Sequence, residues 1–239
     1  DPPDTDCPHE DAFILHSEHE PDGSNFVIVL SSVQMLRNAN RGHGPWFYHL
    51  DGTFQVTREG FVFIVLATCD LAHRVLPISV CVGTAERIRV AGPMMQYTKN
   101  WVEKLVLTKG WGPQCNMTDH STALRTASVK VFPSLKTLGE CFFHVKKAVR
   151  DRYSQLGEEC YDRVTEDIDT LRKIPCPKLF VNLKASVLQQ WENDRLPAKF
   201  ISAWKTTYAH THKSTKKNKK TAGLGDWLPS SIIHWMGLE

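Results

Sequence analysis

The spacing of apolar positions changes character along the chain. Residues 26–30 form a short apolar run that predicts a strand, and Ser31 or Ser32 can cap a short helix through Met35 and Leu36. Gly42, Gly44 and Pro45 then break the chain. Three strand candidates follow at 46–56, 61–69 and 75–82, joined by short turns such as Thr57-Arg58-Glu59-Gly60, so an antiparallel meander is expected. From 86 to 107 the spacing becomes helical, through Ile88, Met94, Met95, Trp101, Val102, Leu105 and Val106, with Gly92-Pro93 expected to interrupt it early. A strand at 115–118 leads into Asp119, and Ser121 can cap a helix through Leu124, Ala127 and Val131, stopped by Pro133. Residues 135–143 read as a further strand, and a helix is expected from His144 to Tyr153. From 155 to 212 apolar residues recur only at three- and four-residue spacing, as in Leu156, Cys160, Val164, Ile168 and Leu171. The order of elements predicts an α/β domain with a mixed sheet, followed by a helical segment.

Composition bounds this picture without adding an element. With 239 residues, 41% hydrophobic and 23% charged, the chain suits one large globular domain or one domain with an insertion. No apolar run approaches the roughly 18 residues of a membrane span, so no membrane partner is expected. The acidic, Pro-rich N-terminus lacks the pattern of a secretory signal. The first residue is Asp rather than Met, which suggests a fragment of a longer protein. Seven scattered cysteines, an odd number, suit a reducing compartment better than a disulfide framework. Charge is uneven: residues 1–25 read as an acidic, disordered or linking segment, whereas 213–220 hold Lys213, Lys216, Lys217, Lys219 and Lys220. Such a run is either a solvated loop or a nucleic-acid contact.

Few residues stand out as carriers of chemistry. Asp51 interrupts the aromatic and apolar run Trp46-Phe47-Tyr48-His49-Leu50, and a carboxylate on a buried strand costs several kcal/mol unless it is paired or binds a metal. The plain alternative is a strand Asp paired with a nearby cation. Asp119 lies where a strand ends and a helix begins, on the ligand-binding edge of α/β sheets, although Asp is also common there as a turn or cap residue. Cys141 and His144 are three apart at a strand-to-helix junction, with no second close pair to complete a zinc site. Cys7, His9, His16 and His19 fit no zinc spacing, Asp70 reads as a turn residue, and the other cysteines read as small apolar side chains.

Together, Asp51-Gly52-Thr53-Phe54, Thr118-Asp119 with Ala123-Leu124 behind it, Val131-Phe132-Pro133 and Cys141-x-x-His144 resemble the catalytic domain of Mutator-like element (MULE) transposases. Glu86, in Gly83-Thr84-Ala85-Glu86, also resembles that family. The resemblance covers residues 26–155 and is weaker from 156 to 239. It implies a ribonuclease-H-like mixed sheet with helices and an all-helical insertion before the last acidic residue. On that reading, 26–155 is the catalytic core, 156–226 the helical insertion with the basic loop 213–220, and 227–239 a return to the core.

The implied activity is that of a DDE-type transposase, with Asp51, Asp119 and Glu239 holding two Mg2+ or Mn2+ ions, and Cys141 and His144 as nearby structural residues. DNA cutting and joining need in-line displacement at a phosphodiester, which two divalent ions can promote, and hard cations prefer carboxylate oxygens. The implied partners are DNA, both transposon ends and target, contacted by the lysines of 213–220, and further copies of the chain in a homo-oligomer in the nucleus. The sequence departs from the family before Glu239, where His234-Trp235-Met236-Gly237 replaces an asparagine-rich run. This leaves open a domesticated or inactive relative that binds DNA, or regulates, without cutting.

Overall fold

The structure, a computed structural model, describes residues 11–22, 25–40, 47–53, 57–70, 74–85, 87–106, 110–119, 121–174 and 177–207. In chain order the elements are β1 (Ala12–His19), β2 (Phe26–Ser32), α1 (Val33–Asn38), β3 (Phe47–Thr53), β4 (Val62–Cys69), β5 (Val75–Gly83), α2 (Ile88–Val106), β6 (Cys115–Thr118), α3 (Thr122–Val131), β7 (Thr137–Glu140) and α4 (Phe142–Arg150). Four more helices follow: α5 (Tyr153–Leu156), α6 (Glu158–Arg172), α7 (Pro177–Asn193) and α8 (Ala198–Thr207). The strands form one sheet in the order β1-β2-β5-β4-β3-β6-β7. A mixed sheet with helices is compatible with the ribonuclease-H-like architecture. By internal contacts the chain divides into two compact units, Asp1–Lys136 and Thr137–Glu239.

In the first unit, β3, β4 and β5 form the antiparallel meander that the short turns predict. β6 then pairs with β3 in parallel, with Phe47 opposite Cys115 and Leu50 opposite Thr118. A parallel neighbour needs a crossover of a dozen residues or more, and α2 supplies it. Alternation along β3 sends Tyr48 and Leu50 to one face, where both are 1% exposed, and Phe47, His49 and Asp51 to the other. The buried face packs on α2 and α3 through Ile64, Leu66, Val90, Met94, Met95, Val102 and Leu124. Each such side chain contributes about 1.5–3 kcal/mol relative to exposure. The opposite face, with Phe63, Val65, Val80, Val82, Ile28 and Leu30, is only half-buried.

Three expectations need correction. Residues 12–19, read as part of a disordered or linking segment, form strand β1, antiparallel to β2. Leu15 enters the core, Phe13 meets Trp101 edge-on at 5.3 Å, and the His16 ring stacks on Tyr97 at 3.8 Å. Those contacts come from a helix far along the chain. Gly92-Pro93 does not interrupt α2, which runs through both residues. Pro93 forfeits one backbone hydrogen bond, and the buried stripe of Val90, Ala91, Met94, Met95 and Val102 holds the helix on the sheet despite that loss. The strand expected at 135–143 spans only Thr137–Glu140. Leu135 belongs to a turn, its N–H donating to the Phe132 carbonyl at 3.0 Å, and α4 already begins at Phe142.

In the second unit the helical spacing read from 155 onward does form helices, and among the described residues beyond 140 no strand occurs. Gly157, at φ 75°, turns the chain into α6 in a conformation that a side chain would strain. The core gathers Val145, Val149, Val164, Ile168, Trp191, Phe200 and Trp204. Trp191 is fully buried, packs edge-on against Trp204 at 5.6 Å and donates from Nε1 to Asp167 Oδ2 at 2.7 Å.

Candidate active site

Asp51 follows Leu50 on β3, lies opposite Val65 of β4 and is exposed. The parallel β3–β6 register ends at Leu50 and Thr118, so Asp51 and Asp119 each come one residue beyond the same paired position. Neighbouring strands run about 4.8 Å apart, which puts the two Asp backbones side by side at the C-terminal end of the parallel pair. The two local settings differ. Asp119 is half-buried, and its Oδ1 accepts the Ser121 N–H at 2.9 Å. Ser121 in turn caps α3, its Oγ accepting the Leu124 N–H at 3.3 Å. The turn role of Asp119 is therefore present in the structure. An ionised carboxylate has about four lone-pair sites, so one N–H leaves most of its acceptor capacity for other partners.

His49 was not singled out from sequence. It precedes Asp51 by two residues and so shares its face of β3. The side chain is half-buried, and burial pushes the imidazole down to about 4. Its Nε2 lies 3.5 Å from Cys69 Sγ, and the Phe47 ring is 5.1 Å away. Burial, and then the negative charge of Asp70, raise the Cys69 thiol above its usual range. The two-residue spacing to Asp51 was the available signal, but the burial that makes His49 unusual comes from neighbouring strands.

Other candidates take structural places. Asp70 closes a turn, with Oδ1 accepting the Arg74 N–H at 2.9 Å and Oδ2 accepting Arg74 Nε–H at 2.7 Å. Cys81 is a fully buried thiol, pushed up to about 12 by burial, in keeping with an apolar role. Cys141 is the N-cap of α4, and its carbonyl accepts the His144 N–H at 3.0 Å, so His144 sits in the first helical turn. His16 and His19 lie on β1. Among the described residues, no three His, Cys, Asp or Glu side chains gather as an ion site. Glu239, Glu86, Cys7, His9 and the lysines Lys213, Lys216, Lys217, Lys219 and Lys220 lie outside the described residues.

Cations cluster on α4. Lys147 and Arg150 are exposed, Lys146 lies 3.4 Å from Asp169, and Arg152 donates to the Ala148 carbonyl at 2.7 Å. Among the described residues no helix is long and apolar enough to cross a membrane.

No curated protein matches the chain. The family model of the MULE transposase domain matches residues 47–148, from the first residue of β3, through Asp51 and Asp119, into α4. Over that stretch the chain is similar to the MULE transposase domain.

Proposed function

We propose that this chain is the core of a DDE-type transposase, cutting and joining DNA with Asp51 and Asp119 as two of its metal-holding carboxylates. The observation that carries the reading is their shared position, one residue past the last pair of the parallel β3–β6 ladder. In open α/β sheets the C-terminal ends of parallel strands face the ligand. The donor set fits a hard divalent cation such as Mg2+ or Mn2+: two carboxylates, one exposed and one half-buried, with bound water and substrate phosphate to complete the ligands. When bound, a pair of such ions would activate the attacking oxygen and stabilise the leaving one. Glu239 is the third acidic ligand that the family resemblance implies.

The residues of the chain do the positioning. Ser121 N–H fixes Oδ1 of Asp119 and so limits the rotamers of that carboxylate. Asp51 is held by a strand paired on both sides. Lys147 and Arg150, with the lysines of 213–220, supply positive charge for phosphates, and binding of that kind weakens as salt rises. A transposase joins two ends to a target, so the proposal includes a homo-oligomer acting in the nucleus. The helical residues beyond 156 fill the role of the family's insertion.

A second reading, a domesticated relative that binds DNA without cutting, is favoured by two observations. His234-Trp235-Met236-Gly237 departs from the family before Glu239, and one oxygen of Asp119 is engaged in a turn. The test is strand cleavage by the whole chain with Mg2+ or Mn2+, next to Asp51→Asn. Cleavage lost in the variant with DNA binding retained supports the enzyme. Cleavage unaffected by Asp51→Asn removes Asp51 from the site. Binding without cleavage by the unaltered chain supports the second reading.

A further inference from the structure

The inward face of α4 is complete without Phe143: Phe142, Val145 and Val149 pack into the second unit's core, while Phe143 remains 64% exposed. Leaving a Phe in water forgoes about 1.5–3 kcal/mol of burial. The other exposed aromatic among the large apolar side chains described, Tyr97, is stacked under His16, whereas among the described residues the ring of Phe143 meets one other ring, His144, in a T-shaped pair at 5.5 Å. At about 100° per residue, Lys147 falls about 40° and Arg150 about 20° from Phe143 around the helix, so the three make one stripe about 10 Å long. Lys146, at the stripe's margin, shares its charge with Asp169. An exposed π-face in line with two exposed cations complements a nucleic-acid strand: the cations suit phosphates, and an aromatic ring suits the face of any base that is not already stacked in a duplex.

Resting on the reading of DNA as substrate, we propose that the Phe143, Lys147 and Arg150 face of α4 holds a DNA strand with an unpaired base, stacked on the Phe143 ring. A blunt duplex offers phosphates but no free base face, so the ring discriminates between paired and unpaired DNA while the cations do not. Stacking on one aromatic ring is lost on alanine substitution with roughly a 5- to 150-fold drop in affinity.

The test uses the whole chain and two fluorescein-labelled probes, a blunt duplex and the same duplex with a single-stranded extension carrying 2-aminopurine. The unaltered chain is expected to prefer the extended probe and to change the 2-aminopurine signal. Phe143→Ala should cost that preference about tenfold or more and abolish the signal change, with blunt-duplex affinity kept, and Phe143→Trp should restore both. Lys147→Ala combined with Arg150→Ala should weaken both probes and flatten the salt dependence by about two units of log–log slope. If the unaltered chain binds both probes and Phe143→Ala binds them equally well, the stacking proposal falls and the DNA reading stands. If the unaltered chain binds neither probe, both fall. If Phe143→Ala keeps all DNA binding but sediments as a smaller species, the face is a protein contact and the proposal is overturned.

Discussion

Replacing Asp119 by asparagine and by alanine should separate the two roles this residue can play. The Oδ1 of Asp119 accepts the Ser121 N–H at 2.9 Å, and Ser121 caps α3. Hydrogen bonds to charged acceptors contribute about 1.5–3 kcal/mol, and solvent competes at this half-buried position, so Asp119→Ala should cost about 1 kcal/mol. Asparagine keeps an oxygen at the same place, so Asp119→Asn should cost about half of that or less. For a chain of this size, 1 kcal/mol is about 2–4 °C in Tm. Urea unfolding with a chelator present measures the stability side, and divalent-ion-dependent cleavage measures the chemistry. The expected pattern is unequal stability and, on the proposed reading, equal loss of cleavage, because both variants lack the charge that would hold a cation. Asp119→Asn as unstable as Asp119→Ala would refute the argument that acceptor geometry sustains the turn. Cleavage retained by Asp119→Asn would refute a role in holding the ion.

Three further outcomes are expected. The folded chain holds His49 neutral down to about 4, whereas an unfolded histidine titrates near 6.5, so between those values the unfolded chain binds more protons and stability rises with pH. Acidification from pH 7 to 5 should thus remove about 2 kcal/mol, read as a fall in the urea midpoint, and His49→Gln should flatten the profile; equal profiles would discard the assignment. In Gly83→Ala the new Cβ would lie 2.7 Å from Val90 Cγ1 and 3.2 Å from the Phe26 carbonyl, so a loss of about 1–3 kcal/mol is expected in thermal melts, partly recovered when Val90 is also made Ala. Trp191→Ala should cost about 3–5 kcal/mol and open residues 137–207 to limited proteolysis first, while Trp191→Phe, which keeps a six-membered ring and loses the bond to Asp167 and part of the indole volume, should cost less.

What could be read from sequence follows the range of the forces involved. The β3–β4–β5 meander is built from local alternation and short turns, so its strands were legible, and Asp51 stood out because a charge broke that alternation. Asp119 was legible because Thr118-Asp119-x-Ser121 writes a strand end and a helix cap in four residues. β1 was not, since it lies in a polar stretch that reads as an acidic, disordered or linking segment, and its anchors, Trp101 and Tyr97, belong to α2. Continuity of α2 through Pro93 was likewise decided by burial rather than by local propensity. The setting of His49 depends on Cys69, twenty residues away on another strand.

The parallel β3–β6 pair also has a history in time. β3 can find β4 and β5 as soon as they leave the ribosome, because each hairpin closes a short loop. The partner that carries Asp119 is roughly 70 residues downstream, and closing that loop waits for α2 to be made and docked. Asp51 is thus in place several seconds of synthesis before Asp119 arrives, at typical rates of about 5–20 residues per second. A four-residue strand that joins after the longer strands of the meander should also open more readily than they do, so amide exchange along Cys115–Thr118 should run ahead of β4. On the proposed reading, two carboxylates that become neighbours only through a ladder formed after the meander would make a site that exists only when both strands are in place, and a nascent or partly opened chain would carry half of it.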